Sequence, residues 1–528
     1  MHKLVLLHGR TLSALLALCF LSLCGTAQEL MQRPNPASQP ELQITTRLVV
    51  LDVVVTDHSG QLRNDLTAND FHITEDGVPQ TILNFEPPSS HPIPVGAPIT
   101  STKDLESRAP QSPVDIVVLD EVNTSFQNMA FARYALKKYL NAQPSTMQAP
   151  TMLIAVNFDK FTVLHDYTQN RAEILSALDH HLTHYPWNME RGESKYITFA
   201  KSLGALEQVA EGTRGHLGHK NIVWVGKGFP GIDLSSPAIS QEAVAGVTYA
   251  MQQAVNMLRD SRVTLYTIDP TLMTATIATT SDADSVLGGM DGGMDATAPD
   301  PFVGDVNFTG LAKATGGKSF YSRNDVDREI GESVRDGVNY YTIAYRPTDS
   351  SDATRDYRKI RVAFANKGLH AFYRDGYFAK TTEAAAAIGP RTKYDLAAAE
   401  ESTMVYTGLS VVVAAKPGAP DTYVVGVPES QLTWTGDGDR ESARLKLVAA
   451  AVNNQSEVLR RSTEEITAHR QVKADMPTDT RGLVRVEVTL PSGPKTYRLR
   501  FVVYSEGDGR LGTADILIPG AAPGKNIR

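Results

Sequence analysis

Short apolar runs rich in β-branched residues characterise the first part of the chain. Leu48 to Thr56 is one such run, and Phe71–Glu75 and Thr81–Phe85 flank the dipeptide Asp76-Gly77. Apolar runs on either side of an Asp-Gly turn predict strands joined in a hairpin. The pattern therefore predicts a small β unit over residues 41–87.

From Val114 onward the period of the pattern changes. Short apolar runs lie at 115–120, 152–156, 222–225 and 263–268. Apolar residues at helical spacing lie between these runs. The first set comprises Met129, Ala132, Leu136, Tyr139 and Leu140, and the second comprises Val244, Val247, Met251, Val255 and Leu258. Buried runs alternating with helices predict a doubly wound, mostly parallel sheet with helices on both faces. We therefore predict an α/β domain over 114–338, preceded by a Pro/Ser-rich linker over 88–113.

Strand patterning returns over 339–380 and, after a spacer at 381–400, continues over 401–528. The strand candidates are 340–345, 357–364, 407–414, 423–427, 483–490, 497–504 and 513–518. Apolar and polar residues alternate in several of them, so the last segment is predicted to be a β-sandwich-like domain. The fold class is thus α/β plus all-β. Because the 41–87 unit is too small to bury a core alone, we expect it to join 339–380 in one β domain.

The N-terminus has the features of a removable secretory signal. Lys3 and Arg10 precede an apolar run that is too short to span a membrane, and small residues end at Ala27. We predict cleavage after Ala27, hence a signal peptide over 1–27 and an exported, periplasmic or extracellular protein. A lipid anchor at Cys24 is the alternative, and the bulky Leu23 before that cysteine disfavours it.

Composition narrows the function classes further. Both cysteines, Cys19 and Cys24, lie within the predicted signal, so the mature chain would contain neither disulfides nor a thiol nucleophile. Removal of Lys3 and Arg10 changes the formal net charge from −8 to −10. The remaining sequence contains no cluster of basic residues with aromatic residues between them. These features disfavour nucleic acid as a partner. No later segment is apolar enough to predict a transmembrane helix.

Several stretches together resemble a known family. An acidic residue at the end of a predicted strand, Asp120, is followed by Asn123-Thr124-Ser125, which is similar to the metal-site loop of von Willebrand factor type A domains. Further similar stretches are Asp70–Gly77 with Gln80, Asn221–Pro230, Leu311–Gly317 with Phe320 and Asp325, Tyr340–Pro347, and Arg374–Phe378. Their order over about 40–380 resembles the acidobacterial family of von Willebrand factor type A-related proteins. Residues 401–528 carry no such resemblance.

The resemblance implies a divalent metal site, from which this sequence departs. In that site, Asp-x-Ser-x-Ser, a Thr from a second loop and an Asp after the fourth strand hold the ion. Here the first loop has Asp120, Val122 and Thr124, and Gly226-Lys227 replaces the carboxylate after the fourth strand. Because Mg²⁺ needs close to six oxygen ligands, we predict no metal and no other cofactor. Ligation by Asp120 and Thr124 is the weaker alternative.

We expect instead that the Lys227 ammonium pairs with Asp120, and that Glu121 adds to this pair. The predicted binding loops thus contain Asp120, Glu121, Asn123, Thr124 and Lys227. Thr124 and Gln127 also have the spacing of a capping box for the following helix, which leaves a solvated Asp120 as the alternative.

Other candidate clusters have simpler explanations. His180, His181 and His184 lack the Glu of a zinc-binding His-Glu-x-x-His motif, so a solvated helix end is favoured. His216 and His219 lie in a Gly-rich predicted turn. A further group of acidic residues, which fails the EF-hand order and predicts a mobile loop, comprises Asp282, Asp284, Asp291, Asp295, Asp300 and Asp305.

No nucleophile elbow, phosphate-binding loop or dinucleotide fingerprint is present in the sequence, so no catalytic residue is assigned and we predict a protein that is not an enzyme. We expect an exported adhesion or assembly protein that binds a protein or cell-surface partner. The alternatives are an envelope hydrolase with its active site in 401–528 and a purely architectural envelope component.

Overall fold

A computed structural model describes residues 48–94, 96–183, 194–271, 302, 304–321, 323–348, 357–366, 368–378, 396–437, 440–471 and 482–518. The predicted signal peptide, Cys24, His184 and the acidic residues from Asp282 to Asp300 lie outside these ranges.

The elements follow one another in this order. The first part contains β1 (Val49–Asp57), β2 (Phe71–Glu75), β3 (Val78–Gln80), β4 (Ile82–Glu86) and α1 (Thr102–Arg108). The central part contains β5 (Val114–Asp120), α2 (Phe126–Ala142), β6 (Thr146–Val156), β7 (Phe161–Asn170), α3 (Arg171–His180), α4 (Lys195–Gly212), β8 (Lys220–Val225), β9 (Ile232–Asp233), α5 (Gln241–Asp260), β10 (Val263–Ile268), β11 (Asp305–Val306), α6 (Phe308–Ala314), β12 (Ser319–Phe320) and α7 (Val326–Val338). Then follow β13 (Tyr341–Tyr345), β14 (Tyr357–Phe364), β15 (Leu369–Phe372) and β16 (Gly376–Phe378). The last part contains β17 (Val412–Ala415), β18 (Thr422–Pro428), β19 (Thr435–Asp437), β20 (Arg440–Val452), β21 (Val458–Gln471), β22 (Leu483–Thr489), β23 (Arg498–Ser505) and β24 (Leu511–Leu517).

The central sheet is mixed. Its strand order is β12-β10-β8-β5-β6-β7, and neighbouring strands are parallel except for β7, which pairs antiparallel with β6 at the edge. Every residue of β5, β8 and β10 is buried, as expected for strands covered on both faces. Apolar residues of α4, α5 and α6 pack on one face, and those of α2, α3 and α7 pack on the other. The molecule is therefore an α/β protein with additional antiparallel sheets.

Two antiparallel sheets combine strands from before and after the central part. Their orders are β15-β1-β13-β4 and β16-β14-β2-β3. Val53 on β1 pairs with Tyr341, and Ile73 on β2 pairs with Val362. The two sheets share one apolar core, in which the Phe71 and Tyr341 rings lie 5.1 Å apart at the centroids.

The segment 88–113 is not the simple linker that its Pro and Ser content predicts. It contains α1, which Ser101 caps through a hydrogen bond from the Asp104 N–H. Ile99 and Leu105 are fully buried and pack in the core of the α/β part. Composition is misleading here because two apolar residues are enough to anchor a short polar helix.

The last part of the chain forms two antiparallel sheets that face each other across a common core. One sheet has the order β17-β18-β22, and the other contains β19, β20, β23 and β24, with β21 paired to β20. The Tyr423 and Phe501 rings meet between the sheets at a centroid distance of 5.3 Å. The long β20–β21 hairpin was not predicted from the sequence, because β21 is mostly exposed and has many charged residues in place of alternating apolar ones.

Candidate functional site

The loops after β5 and β8 meet where the strand order reverses. The chain leaves β5 toward β6 on one side, and β8 lies against β5 on the other side. In open sheets of this kind, ligands bind outside the carboxyl ends of the strands at such a point. We call residues 121–125 and 226–229 the carboxyl-edge loops.

Asp120 lies beneath these loops with no exposed surface. Its Oδ1 accepts hydrogen bonds from the N–H groups of Val122 at 3.0 Å and Asn123 at 3.3 Å. Its Oδ2 accepts from the Trp224 indole at 3.1 Å and from the Gly228 N–H at 2.7 Å. The carboxyl group therefore holds both loops together through four N–H donors.

Glycine allows this close approach of the second loop. A Cβ on Gly226 would lie 2.4 Å from the Asp120 Cβ, and one on Gly228 would lie 2.1 Å from the Phe308 ring. Gly228 also has φ +66°, a conformation that L side chains rarely adopt. A side chain at either position would therefore collide with Asp120 or Phe308.

The expected ion pair between Lys227 and Asp120 is wrong. The Lys227 side chain is exposed to solvent, and its backbone N–H donates to Thr124 Oγ1 at 3.2 Å. Burial raises the pKa of Asp120 to about 6, although the Trp224 and backbone donors oppose this rise. Since the second loop presents its backbone to Asp120, the Lys227 side chain lies in solvent.

Glu121 has a different partner from the one expected. The buried Glu121 Oε1 lies 2.6 Å from His181 Nε2, just beyond the end of α3. Arg133 on α2 fixes this end of α3 by donating to the carbonyl oxygens of Leu178 at 2.6 Å and His181 at 2.8 Å. His181 therefore contacts the first loop and is not a solvated helix end. Nothing in the local sequence pattern pairs it with Glu121.

Thr124 does not cap the following helix. Ser125 caps α2, because its side chain accepts a hydrogen bond from the Asn128 N–H. Thr124 is buried and joins the two loops through its bond with Lys227, and the Asn123 side-chain amide donates to the Gly228 carbonyl at 3.0 Å. Of the predicted loop residues, the structure therefore brings together Asp120, Asn123 and Thr124.

The groups around Asp120 do not suit a divalent cation. Both carboxylate oxygens already accept N–H donors, and Val122 contributes only an apolar side chain where the resembling domains have a hydroxyl. A cation would have to displace these donors and to find oxygen ligands elsewhere. Among the described residues, no group of three or more His, Cys, Asp or Glu side chains is arranged to hold a metal ion.

Apolar side chains are exposed beside the loops. Phe126, the first residue of α2, exposes 48% of its surface, and Leu182, which follows His181, exposes 74%. Lys227 adds a positive charge in the second loop. Contiguous exposed apolar patches mark binding surfaces, whereas single exposed apolar residues are common on any protein.

Lys220 at the start of β8 is a buried lysine. Lys220 Nζ donates to the carbonyl oxygens of His216 at 2.5 Å and Gly218 at 3.0 Å, and burial lowers its pKa to about 7. The two predicted turn histidines are also buried. His216 bonds to Glu106 at 2.8 Å, and His219 bonds to Asp52 on β1 at 2.8 Å, so both stabilise the structure.

A cleft of about 800 Å³ lies between the β6–β7 turn, α4 and the β20–β21 turn. Its lining contains basic and acidic residues in equal number. The basic residues are Lys160, Lys201 and Arg461, and the acidic residues are Asp159, Glu401 and Glu457. The sequence did not predict this cleft, since segments that are distant along the chain form it.

Comparisons with known proteins give little further guidance. No protein-family model and no curated protein matches this chain. Two solved structures of proximal thread matrix protein 1 from the mussel byssus are similar in part. One is 14% identical over 30% of this chain and 38% of that chain, with a TM-score of 0.20. The other is 12% identical over 48% and 51%, with a TM-score of 0.24. Scores this low carry no conclusion about activity.

Among the described residues, no helix is both long enough and apolar enough to cross a membrane.

Proposed function

We propose that this protein is an exported binding protein of the von Willebrand factor type A-related kind, which engages a protein or cell-surface partner through its carboxyl-edge loops. The sheet of parallel strands with one antiparallel edge strand supports this assignment, as does the position of Asp120 at the reversal of strand order. Both features agree with the sequence stretches over about 40–380 that resemble this family.

The observation that carries the proposal is the hydrogen-bonding of Asp120. Three N–H donors from the two loops and the Trp224 indole of β8 converge on one buried carboxyl group, so the loops are ordered before any partner arrives. A preordered surface loses less conformational freedom on binding than a mobile one. In this account, the internal donors replace the cation that orders the loops in the resembling domains.

The exposed residues beside the loops would contact the partner. Phe126 and Leu182 supply apolar area, and Lys227 supplies a charge at the rim. Aromatic residues contribute strongly at the centres of interfaces, whereas charges at the rim mainly affect association rate and specificity. We therefore assign the larger share of affinity to Phe126.

The test is a saturation binding experiment with the labelled chain of residues 28–528 and envelope fragments of the producing bacterium. We expect saturable binding that EDTA leaves unchanged and that Phe126→Ala weakens about tenfold. Tyr249→Ala is the matched control, because Tyr249 is an aromatic residue on α5 with 43% exposure. Non-saturable binding, or equal affinity of the Phe126 and Tyr249 variants, would contradict the proposal.

A further inference from the structure

Lys318, just before β12, contacts two carboxylates of α7. Its Nζ lies 2.7 Å from Asp336 Oδ2 and 2.8 Å from Glu332 Oε1. Asp336 and Glu332 are four residues apart on the helix, so they share one face. The side chain of Asp336 has no exposed surface, and that of Lys318 is 13% exposed. The Glu332 side chain is 34% exposed, so the amine and the Asp336 carboxyl group are shielded from water while Glu332 lies at the edge of the cluster.

The surroundings of this cluster are largely apolar or aromatic. Lys318 Nζ lies 4.2 Å from the centroid of the Phe372 ring, and the buried Tyr266 hydroxyl interacts with Asp336. Arg335 is the other charged neighbour, 3.6 Å from Asp336 Oδ1, and its side chain is half exposed. Burial of Asp336 favours its neutral acid form over the carboxylate.

We propose that Lys318 and Asp336 condense to form an intramolecular isopeptide bond. The Lys318 Nζ attacks the Asp336 Cγ, a C–N bond forms, and one Cγ–O bond breaks. The departing oxygen leaves as water with two of the three ammonium protons, so no oxidant or other reactant is required. Glu332 accepts a proton from the ammonium, returns it to the departing oxygen, and ends the reaction in its initial state.

The electrostatics support this chemistry. Burial raises the pKa of Asp336, and the nearby Glu332 carboxylate adds to the rise, whereas Lys318 and Arg335 lower it. With two carboxyl groups beside one amine, a proton can move from the amine to a carboxyl group while the cluster keeps its net charge. The neutral amine is the nucleophilic form, and the neutral acid is the form that it attacks.

The same chain contains matched control pairs. Lys416 Nζ lies 2.6 Å from Glu487, and Lys446 lies 3.4 Å from Glu506 and 3.5 Å from Glu465. These side chains are 30–78% exposed, so water keeps the charged forms stable. Both lysines lie beside a carboxylate but are more exposed than Lys318, and they should remain unlinked.

The experiment is intact-mass measurement of the purified, folded chain, followed by sequencing of its tryptic peptides by mass spectrometry. We expect a mass one water molecule below that of the sequence, and one branched peptide that joins Lys318 to Asp336. The peptides of the two control pairs should appear unbranched. A folded chain with the full mass after prolonged incubation would overturn the proposal, and so would a branch at Glu332.

Two variants separate the chemistry from a merely structural ion pair. Lys318→Arg keeps the positive charge but supplies no amine, so it should fold and show the full mass. Glu332→Gln removes the proton acceptor and should slow bond formation about 100-fold, without changing the circular dichroism spectrum. An unchanged rate in Glu332→Gln would contradict the assigned role of Glu332.

Discussion

Asp115 and Asp120 are buried carboxyl groups on the same strand, and their surroundings differ. Asp120 accepts four N–H donors, whereas Asp115 accepts a bond from the Asn221 side chain at 2.7 Å. Burial raises the pKa of Asp115 to about 7 and that of Asp120 to about 6. At both sites burial raises the pKa and the hydrogen-bond donors oppose the rise.

Replacing Asp120 with Asn should destabilise the fold. The amide NH₂ group of the variant would face N–H donors of one loop, which leaves buried donors unsatisfied at a cost of about 2 kcal/mol. Urea denaturation at neutral pH measures the loss of unfolding free energy. Asp159→Asn, at an exposed turn position, is the control, and equal stability of the two variants would show that Asp120 does not organise the loops.

The raised pKa of Asp115 makes stability depend on pH. Its stabilising contribution is fully present below the unfolded pKa of 3.8 and is lost as the pH rises through about 7. Asp115→Asn removes this dependence and can keep the bond from Asn221. Relative to wild type, the variant should gain about 2 kcal/mol of unfolding free energy between pH 5 and pH 8. If the unfolding free energies of wild type and Asp115→Asn changed equally with pH, Asp115 would not be the source of the pH dependence.

At the scale of elements, the loop after β8 is shaped by its glycines. Gly226 lies so close to Asp120 that a side chain cannot fit without movement of one loop. Gly226→Asp, which restores a carboxylate after this strand, should therefore cost about 2–3 kcal/mol and should not create a metal site.

The control for this change is Gly246→Asp on α5, where an added Cβ would meet no atom within 4 Å. Thermal denaturation of both variants compares the two positions. If Gly226→Asp were as stable as wild type, or bound Mn²⁺ with micromolar affinity, the loop could accommodate a side chain and the account would be wrong.

The pattern of the chain predicted several elements well and some contacts poorly. The predicted strand at 357–364 is β14, and the stripe Val247, Met251, Val255 and Leu258 is the buried face of α5. Periodicity reports which face is buried, but not which partner a buried polar group meets. The pairs Glu121–His181 and Asp120–Trp224 depend on segments that are distant along the chain, so local pattern could not reveal them.

At the scale of the whole molecule, Asp52 joins the first strand to the central sheet. Its carboxylate accepts bonds from Arg262 at 2.6 Å, His219 at 2.8 Å and Thr342 at 3.0 Å. Although burial alone would raise the pKa of Asp52, Arg262 and His219 hold it well below its usual range. This cluster connects strands from three distant parts of the chain.

Asp52→Asn should cost about 3 kcal/mol, because it leaves the largely buried Arg262 without its counter-charge. Asp65→Asn removes the partner of Arg63 in an exposed pair, and should change stability by less than about 1 kcal/mol. Guanidinium denaturation of both variants measures the difference. Similar losses of unfolding free energy in the two variants would show that the buried Asp52 cluster does not stabilise the contact between β1 and the central sheet.

The central claim is that protein groups, and not a cation, order the carboxyl-edge loops. Its most direct test is a Mn²⁺ titration of the metal-free chain, followed by electron paramagnetic resonance and repeated with Asp120→Ala. The account predicts that the spectrum of free Mn²⁺ persists through the micromolar range, with the same result for both proteins. Micromolar binding by wild type that Asp120→Ala abolishes would contradict it.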